Sequence, residues 1–290
     1  MTLTQTQPRR AHLLGFSPHG YHRVVYWQWG AADNPRVALC VHGLARNGRD
    51  FDVLAEALAP THRVIAVDMP GRGESDWLAD PMDYAVPTYL TTLTALIART
   101  GAEKVDWIGT SMGGLLGMVA AAQPKSPVAR LVVNDIGPFI EPAALARIGG
   151  YVGQAPAFET FDGIERYLRE VSASFGALSD AQWRHMTETN VRQGADGRWR
   201  MAYDPGIAVP FKLAPASPDL WRVWDSIGCP TLVLRGAHSD LLSETTAAQM
   251  AARGPCPTVI EVDDVGHAPM LLDAEQIAPV LAFLRASPAT

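Results

Sequence analysis

The chain has 290 residues, 48% of them hydrophobic and 19% charged, and a net charge of −6. This is an ordinary globular composition, long enough for one large domain or a core domain carrying an inserted cap. With no basic cluster longer than Arg9-Arg10, the acidic balance argues against nucleic acid or another polyanion as partner.

Residues 1–16, MTLTQTQPRRAHLLGF, hold no apolar core of the secretory kind. HRVVYWQWG is the first predicted strand, and RVALCVHG is a second, apolar enough to be buried on both faces. FDVLAEALAP reads as a helix ending near Pro60, and HRVIAVDMPG as a third strand. The helical YLTTLTALIART stops at Gly101, KVDWIGTS is a fourth strand, and MGGLLGMVAAAQP is the helix after it. VARLVVNDIG is a fifth strand. PTLVLRGAHSD and PTVIEVDDVGH are two more, separated by the helical ETTAAQMAAR, and EQIAPVLAFLRAS closes the chain as a helix. Continuous apolar strands alternating with helices predict an α/β fold, a mostly parallel sheet covered on both faces.

The alternation breaks between Pro138 and about Ile227. PAALARIGGYV, GIERYLREVSASFG and SDAQWRHMTETNVRQ have helical spacing, and DGRWRMAYDPGIAVPF is irregular. The segment reads as a helical insertion between two sheet strands, giving a core of residues 1–137 and 226–290 and a cap of 138–225. Such a cap covers a site at the strand C-termini, where open α/β sheets bind ligands. APASPD and ARGPCPT read as loops.

The three cysteines, Cys40, Cys229 and Cys256, form no C-x-x-C pair. An odd, scattered set argues against a disulfide framework and for a reducing compartment. No apolar run reaches the roughly 18 residues needed to span a bilayer. The expectation is a cytoplasmic protein with no membrane or nucleic-acid partner and an oligomeric state the sequence leaves open. No His/Cys/Asp/Glu cluster has metal-ligand spacing, and GTSMGG is not a phosphate-binding loop, so no metal or cofactor is implied.

In Gly109-Thr110-Ser111-Met112-Gly113 a serine sits between glycines where a strand stops and a helix starts. A serine hydroxyl is a poor nucleophile unless exposed, paired with a base and supplied with oxyanion donors. The G-x-S-x-G elbow supplies the exposure, since its turn is too tight for side chains at Gly109 and Gly113. The Met112 N–H, opening the helix, is one oxyanion donor. The loop His42-Gly43-Leu44-Ala45-Arg46-Asn47 supplies a second from the Leu44 N–H, with Gly43 letting the substrate approach. His42 is read as a structural histidine bonding that loop. Arg46 and Asn47 are candidates for a substrate carboxylate or polar tail, the alternative for Arg46 being a pair with a nearby Asp. Trp183 and Trp199 are read mostly as cap packing, with lining of an acyl pocket as the alternative.

Of the eight histidines, His267 in DDVGHAPML lies in a short loop after the last predicted strand, at the same sheet edge as Ser111, and is taken as the base. His12, His19 and His22, near the N-terminus, are taken as solvated. Asp240, in RGAHSDLLS after the penultimate strand, is chosen as the acid that orients the imidazole. Asp135, in VVNDIGP after the preceding strand, is a geometrically possible substitute.

The order Ser111…Asp240…His267, with HG after one strand, DMPGRGES after the next, GTSMGG at the elbow and SD…GH downstream, resembles the α/β-hydrolase superfamily over nearly the whole chain. The resemblance implies eight strands, a helical cap between the sixth and seventh, and a Ser-His-Asp triad working without a cofactor. Serine at the nucleophile position disfavours epoxide and carbon–halogen chemistry, for which relatives use aspartate. HGLARNGRDFD, DMPGRGESDWL and NDIGP resemble a bacterial esterase-like group, with members that hydrolyse short esters, including oligomers of 3-hydroxybutyrate. The expected function is hydrolysis of a small carboxylic ester through an acyl-enzyme. The alternatives are a carbon–carbon bond hydrolase of ring-cleavage products, a cofactor-free haloperoxidase-like enzyme, and a small-molecule receptor on the same scaffold.

Overall fold

The computed structural model describes residues 7–213 and 219–286. Its centre is an eight-stranded sheet. The strands come in the chain as β1 (Arg9–Ser17), β2 (Gly20–Trp29), β3 (Val37–Val41), β4 (Arg63–Val67), β5 (Val105–Thr110) and β6 (Val128–Asn134). After the insertion, which holds β7 (Val191–Gln193) and β8 (Trp199–Met201), come β9 (Thr231–Gly236) and β10 (Thr258–Val262). The order across the sheet is β1-β2-β4-β3-β5-β6-β9-β10. β2 runs antiparallel to both β1 and β4, and every other pair is parallel. The expected eight strands in a mostly parallel sheet are present. The chain-order reading found seven of them. β1 escaped it because the strand alternates exposed and buried residues and carries Arg9, Arg10 and His12.

Helices α1 (Asp52–Leu58), α2 (Val86–Thr100) and α3 (Met112–Ala121) follow β3, β4 and β5. The insertion contributes α4 (Pro142–Tyr151), α5 (Phe161–Val171), α6 (Asp180–Asn190), α7 (Ala208–Leu213) and α8 (Trp221–Asp225), and α9 (Glu244–Ala251) and α10 (Ala274–Arg285) end the fold. One sheet face buries Phe51, Leu54, Leu58, Ile277, Val280 and Leu284 from α1, its leading turn and α10. The other buries Leu93, Leu96, Leu116, Met118, Trp224 and Met250 from α2, α3, α8 and α9. β3 is buried along its whole length, as its unbroken apolar run requires. Cys40 lies within it, a free and buried thiol whose burial pushes its pKa up.

The parallel register places the site. Val41 pairs with Gly109, Thr110 with Asn134, Asn134 with Leu234, and Gly236 with Val262. Residues just past the ends of β3, β5, β6, β9 and β10 therefore emerge at one edge, where open parallel sheets place their ligands. The insertion between β6 and β9 arches over this edge. It is not wholly helical: SDAQWRHMTETNVRQ leaves α6 at Asn190 and enters the β7–β8 hairpin, which also takes up part of the stretch read as irregular. Its last helix belongs to the core, because Trp224 of α8 is fully buried and its indole N–H donates to the Arg253 carbonyl at 3.1 Å. APASPD lies, apart from Asp219, outside the described residues.

Candidate active site

Ser111 stands between β5 and α3 with φ +52° and ψ −115°, the strained turn that a nucleophile elbow imposes on a non-glycine residue. The elbow is possible because its flanks lack side chains. A Cβ on Gly109 would lie 2.2 Å from the Gly113 carbonyl oxygen, and one on Gly113 would lie 1.9 Å from that of Val41. Gly43 serves another purpose. A Cβ there would sit 3.5 Å from the Ser111 Cβ, in ordinary contact, so its absence keeps the space beside the Ser111 side chain open.

The Ser111 Oγ lies 2.9 Å from His267 Nε2. The other ring nitrogen, Nδ1, lies 2.8 Å from Asp135 Oδ2. Asp135 follows β6 directly, has φ +56° and is fully buried. Its carboxylate also accepts from the Gly236 N–H at 2.9 Å and the Ser239 hydroxyl at 2.7 Å. An acceptor-only carboxylate on Nδ1 fixes the proton there and leaves Nε2 to accept from the serine. Asp240 is therefore not the residue that meets His267. It is exposed and forms a bidentate pair with Arg147 in α4, at 2.6 and 2.8 Å. Burial pushes its carboxyl up, and Arg147 more than offsets this, holding it below the usual range. The loop after β9 carries Ser239 to Asp135 and turns Asp240 outward. The His267 loop is held on both sides: Asn134 Nδ2 donates to the Pro269 carbonyl at 2.8 Å, and Ser174 of the cap donates to the His267 carbonyl at 2.7 Å.

The loop after β3 is set by two buried groups. His42 Nε2 accepts from the Met69 N–H at 3.0 Å, so Nδ1 carries the proton and donates to the Gly43 carbonyl at 2.7 Å. That bond fixes the peptide plane whose opposite edge is the Leu44 N–H. Burial lowers the His42 pKa to about 3, so the ring stays neutral. Arg72, fully buried, donates to the Leu44 carbonyl at 2.8 Å and to the Tyr89 hydroxyl at 2.7 Å, and its other Nη lies 3.9 Å from Met112 Sδ. Met112 opens α3, where the first N–H groups have no acceptor inside the helix.

A model of the alpha/beta hydrolase family matches residues 38–280. The chain belongs to this family. It is 49% identical over 280 residues to the 3-hydroxybutyrate-oligomer hydrolase of Cupriavidus necator, covering 93% of this chain and 96% of that one. It is 29% identical over 254 residues to the pimeloyl-acyl-carrier-protein methyl ester esterase of Xanthomonas campestris, covering 86% of this chain and 94% of the other. Among solved structures, an alpha/beta hydrolase from Novosphingobium aromaticivorans superposes with a TM-score of 0.86 at 40% identity, covering 96% of this chain and 98% of that one.

In this hydrolase the cap closes a cavity over Ser111 and His267. It holds about 100 Å³ open to the centres of water molecules, several waters' worth. Tyr151, Tyr167, Phe175 and Tyr203 line it, and Trp183 and Trp199 do not. Trp183 is buried with Leu168, Met186, Met270 and Leu272, and Trp199 meets Phe161 edge-on. Arg46 reaches the cavity but is held bidentately by Asp50, at 2.7 Å through both nitrogens. Asn47 does not reach it. Its side chain caps the short turn before α1 and donates to the Thr189 carbonyl and Asn190 Oδ1 at the end of α6, so it ties core to cap. Among the histidines taken as solvated, His22 is buried. No helix among the described residues is long and apolar enough to cross a membrane.

Proposed function

We propose that this chain hydrolyses small carboxylic esters, short hydroxyacid esters or oligomers among them, with Ser111 as nucleophile, His267 as base and Asp135 as the acid. That it is a carboxylic ester hydrolase follows from its family and from the ester-cleaving activities named for both relatives. The observation that carries the mechanism is the continuous chain Ser111–His267–Asp135, with links of 2.9 and 2.8 Å.

His267 takes the hydroxyl proton as Ser111 Oγ attacks the ester carbonyl. The imidazolium that forms faces Asp135. The oxygen turned negative in the tetrahedral intermediate lies between the Leu44 and Met112 N–H groups, which carry the roles of oxyanion donors. His267 returns the proton to the leaving alcohol. It then deprotonates a water that attacks the acyl-serine, releasing the acid and restoring Ser111. The short-ester preference is supported by the modest cavity and by the Cupriavidus necator relative.

Replacing Ser111 by Ala should lower kcat for a short ester by on the order of 10⁴-fold or more, with the far-UV spectrum unchanged. A panel of esters graded by acyl length, with hydroxyacid oligomers and a vinylogous diketone included, reads the substrate class. Turnover of the diketone alone would overturn the ester reading, and near-normal ester turnover by the variant would overturn the nucleophile.

A further inference from the structure

We propose that Arg147 and Tyr151, with Arg46 beside them, form a carboxylate-binding post in the wall of the Ser111 cavity, so that the preferred substrate is an ester carrying a free carboxylate. The inference rests on the esterase reading and adds the charge of the substrate to it.

Arg147 and Tyr151 stand four residues apart on α4 and so share one helix face, and both line the cavity together with Ser111 and Arg46. The lining between and around them is largely apolar, including Ile148, Val152 and Met270. A chain of net charge −6 thus presents two guanidinium groups to its own reaction chamber, with Asp50 as the one carboxylate among the lining residues.

The bland account is that each guanidinium merely serves its ion pair. For Arg147 this is weak, because its side chain is 42% exposed and that of Asp240 44%, and ion pairs so exposed add little stability. The pair does something else well. Asp240 takes Nε and one Nη, which locks the plane of the guanidinium and leaves the second Nη with both N–H groups undirected by that pair. Burial raises the Tyr151 phenol above its ordinary pKa of 10 despite the Arg147 and Arg46 charges beside it, so at neutral pH it is an O–H donor. The remaining guanidinium Nη and the phenol it neighbours, together on one helix face, suit a carboxylate entering a mostly apolar chamber, which would otherwise lose its hydration without return. The free acid of a hydroxyacid dimer has this form: one scissile ester and one carboxylate.

The test compares kcat/KM for the free acid of a 3-hydroxybutyrate dimer with that for its primary amide, which is neutral and has the same single ester. The wild-type protein should favour the acid by about tenfold to a hundredfold, expressed in KM. Arg147→Gln should bring the acid-to-amide ratio close to one, Arg147→Lys should restore part of it, and Tyr151→Phe should lower it severalfold. Asp240→Ala, which breaks the ion pair but keeps the guanidinium, should retain a preference for the acid. If Arg147→Gln slows both substrates equally, or the wild-type ratio is one, the post is overturned and the esterase reading stands. If the wild-type protein cleaves neither dimer nor any other ester, both fall.

Discussion

Asp135 and Asp240 separate what a linear reading of this chain can find from what it cannot. Each follows a parallel strand, and β6 and β9 are neighbours, about 4.8 Å apart in sheets of this kind, so both carboxylates start near His267. The decision is made by backbone detail. Asp135 sits one residue past β6 in a left-handed conformation that Asp tolerates, and Gly236 and Ser239 turn donors onto it. The polar Asn134-Asp135 pair closing an apolar run is the only mark the sequence carries of this role. Ser111 and His267 were legible because glycine spacing and loop position need no such detail. Asp135→Asn should cost about 10³- to 10⁴-fold in kcat, since the amide presents the wrong group to Nδ1 and disturbs the tautomer. Asp240→Asn should cost far less. Steady-state kinetics of the two variants on one neutral ester decide between the carboxylates, and a larger loss at Asp240 would reverse the assignment.

At the scale of elements, the regular parts of the core were readable and the seating of the cap was not. α4, α5 and α6 announced themselves by apolar spacing, but which face each turns toward Ser111 depends on how it rests on the core. Nothing in the spacing of Tyr151 and Tyr167 marks them as cavity residues, and it is the seating of the cap that puts them there. The β7–β8 hairpin has three residues per strand, too few to show a period. One contact between elements makes a pH prediction. His185 Nε2 of α6 lies 3.2 Å from Asp52 Oδ2 at the start of α1, with Arg49, Asp50 and Glu56 also acting in this neighbourhood. The Asp52 carboxylate raises the His185 pKa above its ordinary 6.5, although burial opposes the shift. The folded state then binds the proton more tightly than the unfolded chain. The stabilisation is complete below the unfolded value of 6.5 and is lost as pH rises through the higher folded value. In urea titrations, the stability gap between the wild-type protein and His185→Gln should be widest near about pH 6 and close toward about pH 9. A gap that is flat or widens with pH would remove this link between cap and core.

For the whole molecule, the question is whether an insertion of this size unfolds by itself. Domains joined by polar, modest interfaces commonly do, and chains of this length often leave two-state behaviour. Here the apolar interior is continuous across the boundary. Ile140, Ala144, Ile148, Tyr203 and Ile207 of the insertion fall in one buried cluster with Val41, Val133 and Leu242 of the core. Polar ties cross it as well: the Tyr84 hydroxyl donates to Asp204 at 2.5 Å, the Asp204 N–H to the Gly71 carbonyl at 2.7 Å, and the Gly73 N–H to the Ala202 carbonyl at 2.8 Å. Freeing the cap alone would expose the apolar roof of the cavity and break these polar ties, and that cost sets itself against the conformational entropy the cap gains. Urea unfolding should therefore show one transition, with tryptophan fluorescence, far-UV circular dichroism and loss of ester turnover superimposing. Trp183 and Trp199 report from the insertion, and Trp27, Trp29 and Trp107 from the core, so fluorescence samples both sides of the boundary. A fluorescence change completed at lower urea than the far-UV change would mean that the cap melts first. The cavity wall carrying Arg147 and Tyr151 would then be a separately mobile lid rather than part of one cooperative fold.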